Sequence, residues 1–172
     1  ASDVYKRQAT AIAEYVGGSE EAFVNMMNRR AQELMANGTH FMNPHGLHDD
    51  NHYTTAYDLY LIFNECIKHE DFVNIIQSEA YTAYYTDVDG NSQEALFTPT
   101  NLYAQGEVDV PENVTIVGGK TGTTDEAGYC LILMEKDSSD NPYISIVMGA
   151  SEKPVLYEDM TSLIEAIPSG QQ

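Results

Sequence analysis

Cations are scarce in this chain: 8 lysines and arginines stand against 27 aspartates and glutamates over 172 residues, a formal net charge of −19. Affinity for a phosphate backbone comes from lysine and arginine, so the imbalance argues against a nucleic-acid partner and against electrostatic attachment to an anionic membrane surface. Cysteine is scarce too. Cys66 and Cys130 lie far apart with no CxxC spacing, which suits neither a metal site nor a disulfide framework. Cys130 falls in the apolar run Tyr129-Cys130-Leu131-Ile132-Leu133-Met134 and is expected to be a buried core thiol. Signal-peptide patterning, membrane-length apolar runs, internal repeats and low-complexity tracts are missing as well. No serine in the sequence is followed by a lysine three residues on, so an activated Ser-x-x-Lys nucleophile is not among these residues.

What the chain does have is the run Val114-Thr115-Ile116-Val117-Gly118-Gly119-Lys120-Thr121-Gly122-Thr123-Thr124. Val, Thr and Ile favour a pleated, half-buried surface, and glycine within a strand often marks the close approach of a ligand or another backbone. Lys120, Thr121 and Thr123 offer an ammonium, two hydroxyls and backbone N–H donors, a set suited to a carboxylate or a developing oxyanion. The strand reads as one wall of an active site whose other wall comes from elsewhere.

Two further blocks precede it in order: Phe41-Met42-Asn43-Pro44-His45-Gly46-Leu47, then Asn51-His52-Tyr53-Thr54-Thr55-Ala56-Tyr57-Asp58-Leu59. After the lysine come Glu126-Ala127-Gly128-Tyr129-Cys130-Leu131. Together these motifs resemble the serine D-alanyl-D-alanine carboxypeptidases, the low-molecular-mass penicillin-binding proteins, from about Thr10 to about Glu165. The resemblance implies an α+β, partial penicillin-recognising (β-lactamase/DD-peptidase-like) fold, a helical lobe followed by antiparallel strands and a C-terminal helix. It also implies a peptidoglycan stem peptide ending in D-Ala-D-Ala as substrate, β-lactams as acylating ligands, an extracytoplasmic location, no cofactor and no metal. Lys120, Thr121, Gly122 and Thr123 match the family's substrate-binding strand. Lys120 and Thr123 take the catalytic part, Thr123 by supplying one backbone N–H of the oxyanion hole.

Two of the family's three motifs, Ser-x-x-Lys and Ser-x-Asn, are absent. By the resemblance the second should fall near Val4-Tyr5-Lys6, which do not match it. Asp3-Val4-Tyr5-Lys6-Arg7-Gln8 also reads as a translation of a sequencing-library transposon end. Residues 1–8 are therefore expected to be a non-native start, and residues 9–172 a single partial catalytic domain, with a helical lobe over about 9–79 and a sheet part over about 80–172. Such a fragment is expected to be inactive alone, with membrane attachment only through segments outside it. A class A β-lactamase also carries Lys-Thr-Gly, but its Glu-x-x-x-Asn loop has no match between Gln8 and Lys120. A non-catalytic cell-wall peptide-binding module that kept the groove is the alternative from a different class.

Local patterns predict the elements. A helix over Thr10–Val16 stops at Gly17-Gly18; Ser19 caps a second helix carrying Phe23, Met26, Met27, Ala31 and Leu34 at helical spacing, and Gly38 ends it. Further helices are expected from Thr54 or Thr55 to Ile67, over Asp71–Gln77 and over Tyr157–Ile167. A hairpin turns at Asp89-Gly90-Asn91. Strands are expected over Val114–Thr121, Gly128–Met134 and Tyr143–Ala150. His40, His45, His48 and His52 cluster, but without HExxH or finger spacing; His45 reads as a hydrogen-bonded turn residue, Asp58 as a helix-start dipole or cap group, and Asp125 and Glu126 as solvated turn charges.

Overall fold

The computed structural model describes residues 2–169, with side chains from Lys6 onward. The chain divides into two compact units: one runs to Cys66 and takes in Thr124–Ala127, and the other comprises Ile67–Thr123 and the chain from Gly128 on.

The first unit is helical. Helix α1 (Ser2–Gly17) begins well before Thr10, so residues 2–8 continue one helix with those that follow. Gly17 ends it where a Cβ would sit 2.8 Å from the Phe23 backbone and side chain, and Gly18 turns the chain at φ +81°. Ser19 caps α2 (Glu20–Glu33) by accepting the Ala22 N–H at 3.1 Å, with Glu20 and Glu21 at the positive end of the dipole. Of its apolar residues only Ala31 is fully buried, and Met26 is exposed.

The helix stops well before Gly38. Met35 adopts φ +63°, its N–H donates to Gln32 O, and Ala36 N–H donates to Ala31 O, which is a Schellman termination built on a methionine. Gly38 serves packing instead: a Cβ there would meet Thr55 Cγ2 at 3.0 Å and Asp58 Oδ2 at 3.1 Å. Thr55 starts α3 (Ala56–Cys66) by accepting the Asp58 N–H at 3.1 Å. Asp58 is buried and accepts from the Thr39 hydroxyl at 2.8 Å, so it ties the loop to the helix start.

In the second unit, α4 (Glu70–Ile76) is followed by a two-stranded hairpin, β1 (Tyr81–Thr86) and β2 (Ser92–Phe97), paired from Tyr81↔Phe97 to Thr86↔Ser92. The Asp87 carboxylate collects the N–H groups of Asp89 and Asn91 in the turn, and hydrogen-bond donors around it hold its pKa below the usual carboxylate value. Although its composition groups α4 with the helical lobe, it belongs to this unit, and its end packs on the sheet. A one-turn helix α5 (Leu102–Gln105), which no sequence pattern announced, precedes β3 (Val114–Thr124), β4 (Gly128–Asp137) and β5 (Pro142–Ala150). These form a three-stranded sheet in the order β3-β4-β5, with β4 and β5 antiparallel. Helix α6 (Lys153–Glu165) starts a turn earlier than Tyr157 because Pro154 is pre-set for a first helical turn.

The core of this unit is one cluster. Leu131 and Leu133 from β4 meet Leu156, Tyr157, Met160 and Ile164 from α6, with Val114 and Tyr103 beside them. Alternation along β4 puts Leu131, Leu133 and Glu135 on that same inward face, so a carboxylate enters an apolar core. Cys130, expected in the core, lies off that face and is only half-buried; Cys66 is half-buried too, and burial pushes its thiol pKa up.

Candidate functional site

Strand β3 runs through the whole Lys-Thr-Gly segment to Thr124 rather than ending at Thr121. Its two glycines are required by two different neighbours. A Cβ on Gly118 would lie 2.2 Å from the Ile76 carbonyl at the end of α4, and one on Gly119 would lie 2.1 Å from the Ile132 carbonyl of β4. Both are close approaches of another backbone, not of a ligand. Gly122 differs: nothing lies within 4 Å of the position its Cβ would occupy, and the residue is exposed. The strand is thus packed tightly up to Gly119 and open from Lys120 on.

In that open part, strand alternation puts Lys120 and Gly122 on one side and Thr121 and Thr123 on the other. The Lys120 ammonium folds back to donate to the Thr121 carbonyl, and desolvation by the protein atoms around it draws its pKa below the usual lysine value, though the residue as a whole is exposed. The Thr121 hydroxyl is hydrogen-bonded to the Thr100 hydroxyl. Thr123, also exposed, follows directly after Gly122. Thr121 and Thr123 therefore share one side of the strand, and the Lys120 ammonium, although its side chain starts from the other, folds back along the strand to the Thr121 carbonyl, beside a glycine with no side chain to obstruct an incoming chain. This arrangement suits an extended peptide that ends in a carboxylate.

Thr100 is the hydroxyl partner of Thr121 in this candidate site, and the sequence did not reveal it. It lies 21 positions from Thr121, in a Thr-Pro-Thr loop with no motif, and only the fold brings the two together. The segment around it is pinned. Buried Asn101 caps α5 by accepting the Tyr103 N–H at 3.1 Å, the Leu102 N–H donates to the Tyr157 hydroxyl at 2.9 Å, and Gln105 Nε2 donates to the Pro99 carbonyl at 2.7 Å.

The histidines of the helical unit have local roles. His45 Nδ1 accepts the Leu47 N–H at 3.2 Å within the Asn43–Leu47 turn, and Asn43 holds Gly46 N and Leu47 O. His40 Nδ1–H donates to the Asn51 carbonyl at 2.7 Å. His52 Nδ1 accepts from Met42 N at 3.2 Å, and burial keeps its pKa below the usual histidine value. His48 lies 3.3 Å from Asp50 Oδ1 and 3.9 Å from Glu126 Oε2, both on exposed carboxylates. Among the described residues, no three histidine, cysteine or acidic side chains converge as ligands of a metal ion.

The sequence model of a peptidase family described as D-alanyl-D-alanine carboxypeptidase matches residues 5–152. The D-alanyl-D-alanine carboxypeptidase DacF of Bacillus subtilis (strain 168) is 32% identical over 157 residues, which cover 91% of this chain and 38% of the relative. DacA of Haemophilus influenzae, of the same description, is 31% identical over 139 residues, 81% of this chain and 32% of its own length. The chain thus spans about a third of the length of these curated relatives. Among solved structures, the Streptomyces K15 DD-transpeptidase superposes with a TM-score of 0.80 at 25% identity, covering 91% of this chain and 60% of that one.

Proposed function

This chain belongs to the D-alanyl-D-alanine carboxypeptidase family, and from that premise we propose that its β3 strand is the substrate-carboxylate wall of a serine-type enzyme that removes D-alanine from peptidoglycan stem peptides through an acyl-enzyme. The observation that carries the reading is the open end of β3. The backbone is packed to Gly119, and then Lys120, Thr121, an unobstructed Gly122 and Thr123 follow in consecutive positions.

The roles follow from the chemistry. The D-Ala-D-Ala terminus is a free carboxylate, and Lys120 with the Thr121 hydroxyl supplies a charge and a directed donor for it. Gly122 lets the peptide backbone lie against the strand. The Thr123 N–H is one oxyanion donor, and loss of one such donor typically costs about 10²–10³ in turnover. The serine nucleophile and its lysine base are not among these 172 residues, so the chain by itself carries the recognition half of the chemistry. A substrate of this kind lies outside the cytoplasmic membrane, which puts the working enzyme in the cell envelope. β-Lactams, which present a carboxylate next to an acylating carbonyl, would engage the same wall.

The test joins a segment bearing Ser-x-x-Lys and Ser-x-Asn in frame near Ala9 and measures D-alanine released from an acetylated peptide ending in D-Ala-D-Ala. Release that depends on the introduced serine supports the reading. A folded protein that is acylated by a fluorescent penicillin yet releases no D-alanine would contradict the carboxypeptidase assignment.

A further inference from the structure

We propose that Thr100 is a positioning residue that sets the Thr121 hydroxyl so that its proton points at the bound carboxylate; this rests on the reading of β3 as the carboxylate wall. A threonine hydroxyl carries one proton and two acceptor positions, and its hydrogen rotates to suit its neighbours. The Thr100 and Thr121 hydroxyls are hydrogen-bonded to each other, and either can be the donor. If Thr121 donates to Thr100, it has no proton left for a substrate. If Thr100 donates to Thr121, the Thr121 proton is free to point outward.

A carboxylate has only acceptors, so its arrival selects the second arrangement and produces a chain in which Thr100 donates to Thr121 and Thr121 donates to the anion. Each hydroxyl in such a chain polarises the next, which strengthens the terminal contact. Thr100 also occupies one of the two acceptor positions of Thr121. A terminal amide offers one uncharged acceptor oxygen in place of two charged ones, and its NH2 finds one acceptor position of Thr121 already taken, so the pair favours a free carboxylate over its amide.

Thr100 can do this because it is fixed although exposed. Pro99 restricts the backbone on one side and has its carbonyl held by Gln105 Nε2, while on the other side buried Asn101 caps α5 and Leu102 is held by the Tyr157 hydroxyl. A hydroxyl on a loop anchored at three points orients its partner without first losing the freedom of a mobile segment. Its exposure also means that changing it leaves the core untouched.

The experiment uses the 172-residue chain with ¹³C-labelled threonine methyls, as wild type, Thr100→Val and Thr100→Ser. Three-bond couplings to the Thr121 methyl report its side-chain rotamer directly. In the free chain one rotamer is expected in wild type and in Thr100→Ser, and averaged couplings in Thr100→Val, which removes the hydroxyl while keeping the branched shape. The same samples are titrated with an acetylated peptide ending in D-Ala-D-Ala and with its C-terminal amide. Thr100→Val is expected to bind the carboxylate peptide about five- to tenfold more weakly and to show a smaller preference over the amide, the part set by the Lys120 charge remaining, and Thr100→Ser to stay within about twofold of wild type, the size of effect expected for one hydrogen bond.

Unchanged Thr121 couplings in Thr100→Val, or couplings that change while affinity does not, would overturn the proposal. A wild-type chain whose Thr121 couplings respond to Thr100→Val but which shows no preference for the carboxylate would instead overturn the reading of β3.

Discussion

Replacing Glu135 with glutamine should make the chain less sensitive to pH, by an amount the structure sets. Glu135 is fully buried on the inward face of β4, and neither carboxylate oxygen reaches a donor in hydrogen-bonding geometry. Desolvation pushes its pKa up from 4.5 to about 7; the Ser145 hydroxyl and nearby backbone pull it back only in part, since none of them makes a well-formed bond. A group whose folded pKa is raised above its unfolded value adds stability that is fully present below the unfolded pKa, here 4.5, and is lost as pH rises through the folded one. A gap of one pH unit between the folded and unfolded values is worth about 1.4 kcal/mol, so the full loss is about 3 kcal/mol, nearly complete once pH passes about 7. Between pH 5 and pH 8 the expected change is about 2–3 kcal/mol.

The chain's other carboxylates also repel one another as pH rises, so wild type alone would not isolate this group. The difference between wild type and Glu135→Gln does. Urea unfolding followed by circular dichroism at half-unit steps from pH 5 to pH 8 gives both stabilities. Wild type should lose about 2–3 kcal/mol more than the variant over that range, with the loss levelling off near pH 8. Parallel curves for the two proteins would show that Glu135 is not a buried carboxyl in solution and would refute its place on the inward face of β4.

The two kinds of glycine on β3 should separate cleanly. Gly118→Ala drives a Cβ into the Ile76 carbonyl and should destabilise the chain by about 1–3 kcal/mol, seen as a lower melting temperature, whereas Gly122→Ala has open space and should unfold within about 0.5 kcal/mol of wild type. In the joined enzyme, Gly122→Ala should nevertheless impair substrate turnover, because the new methyl stands where the peptide lies; unchanged kcat/KM would remove Gly122 from the groove. Ser19→Ala, which deletes the cap on α2, should cost about 1 kcal/mol in urea unfolding. The 172-residue chain incubated with a fluorescent penicillin should show no covalent band after denaturing electrophoresis, because it has no Ser-x-x-Lys. A labelled band at its mass would mean that another of its serines is activated.

Much of this was legible in the residues. Strong local chemistry announced the Ser19 cap, the turn around Asp89-Gly90-Asn91 and the three strands from Val114 to Ala150, because caps, turns and β-branched runs act over a few positions. Lys-Thr-Gly marked a candidate carboxylate or oxyanion wall on its residue types alone, while the open space beside Gly122 became visible only in the fold. What failed depended on distant partners. Gly38 looked like a helix stop, yet the left-handed Met35 performs that role and Gly38 makes room for Thr55 and Asp58. Helix α4 looked like part of the helical lobe until Gly118 met its last carbonyl. The link between Thr100 and Thr121 spans a short helix and a loop, and nothing local marks Thr100 as its other end. Glu135 is an intermediate case: Leu131, Leu133 and Glu135 alternate on one face, so extending β4 by one more residue would have shown a carboxylate turned inward.

The most direct measurement of the central claim is a two-by-two comparison on the joined enzyme. Thr121→Ala and wild type are each assayed with a peptide ending in D-Ala-D-Ala and with the same peptide carrying a C-terminal amide. A hydrogen bond to a charged group contributes about 1.5–3 kcal/mol, so Thr121→Ala should lower kcat/KM for the free carboxylate by about one to two decades. Amidation should harm wild type by a larger factor, because it also removes the charge that Lys120 meets, and should harm the variant by distinctly less than it harms wild type, because the Thr121 share of the contact is already gone. Losses that multiply fully would show that Thr121 does not read the carboxylate, and the role assigned to the Lys120-Thr121-Gly122 strand would be wrong.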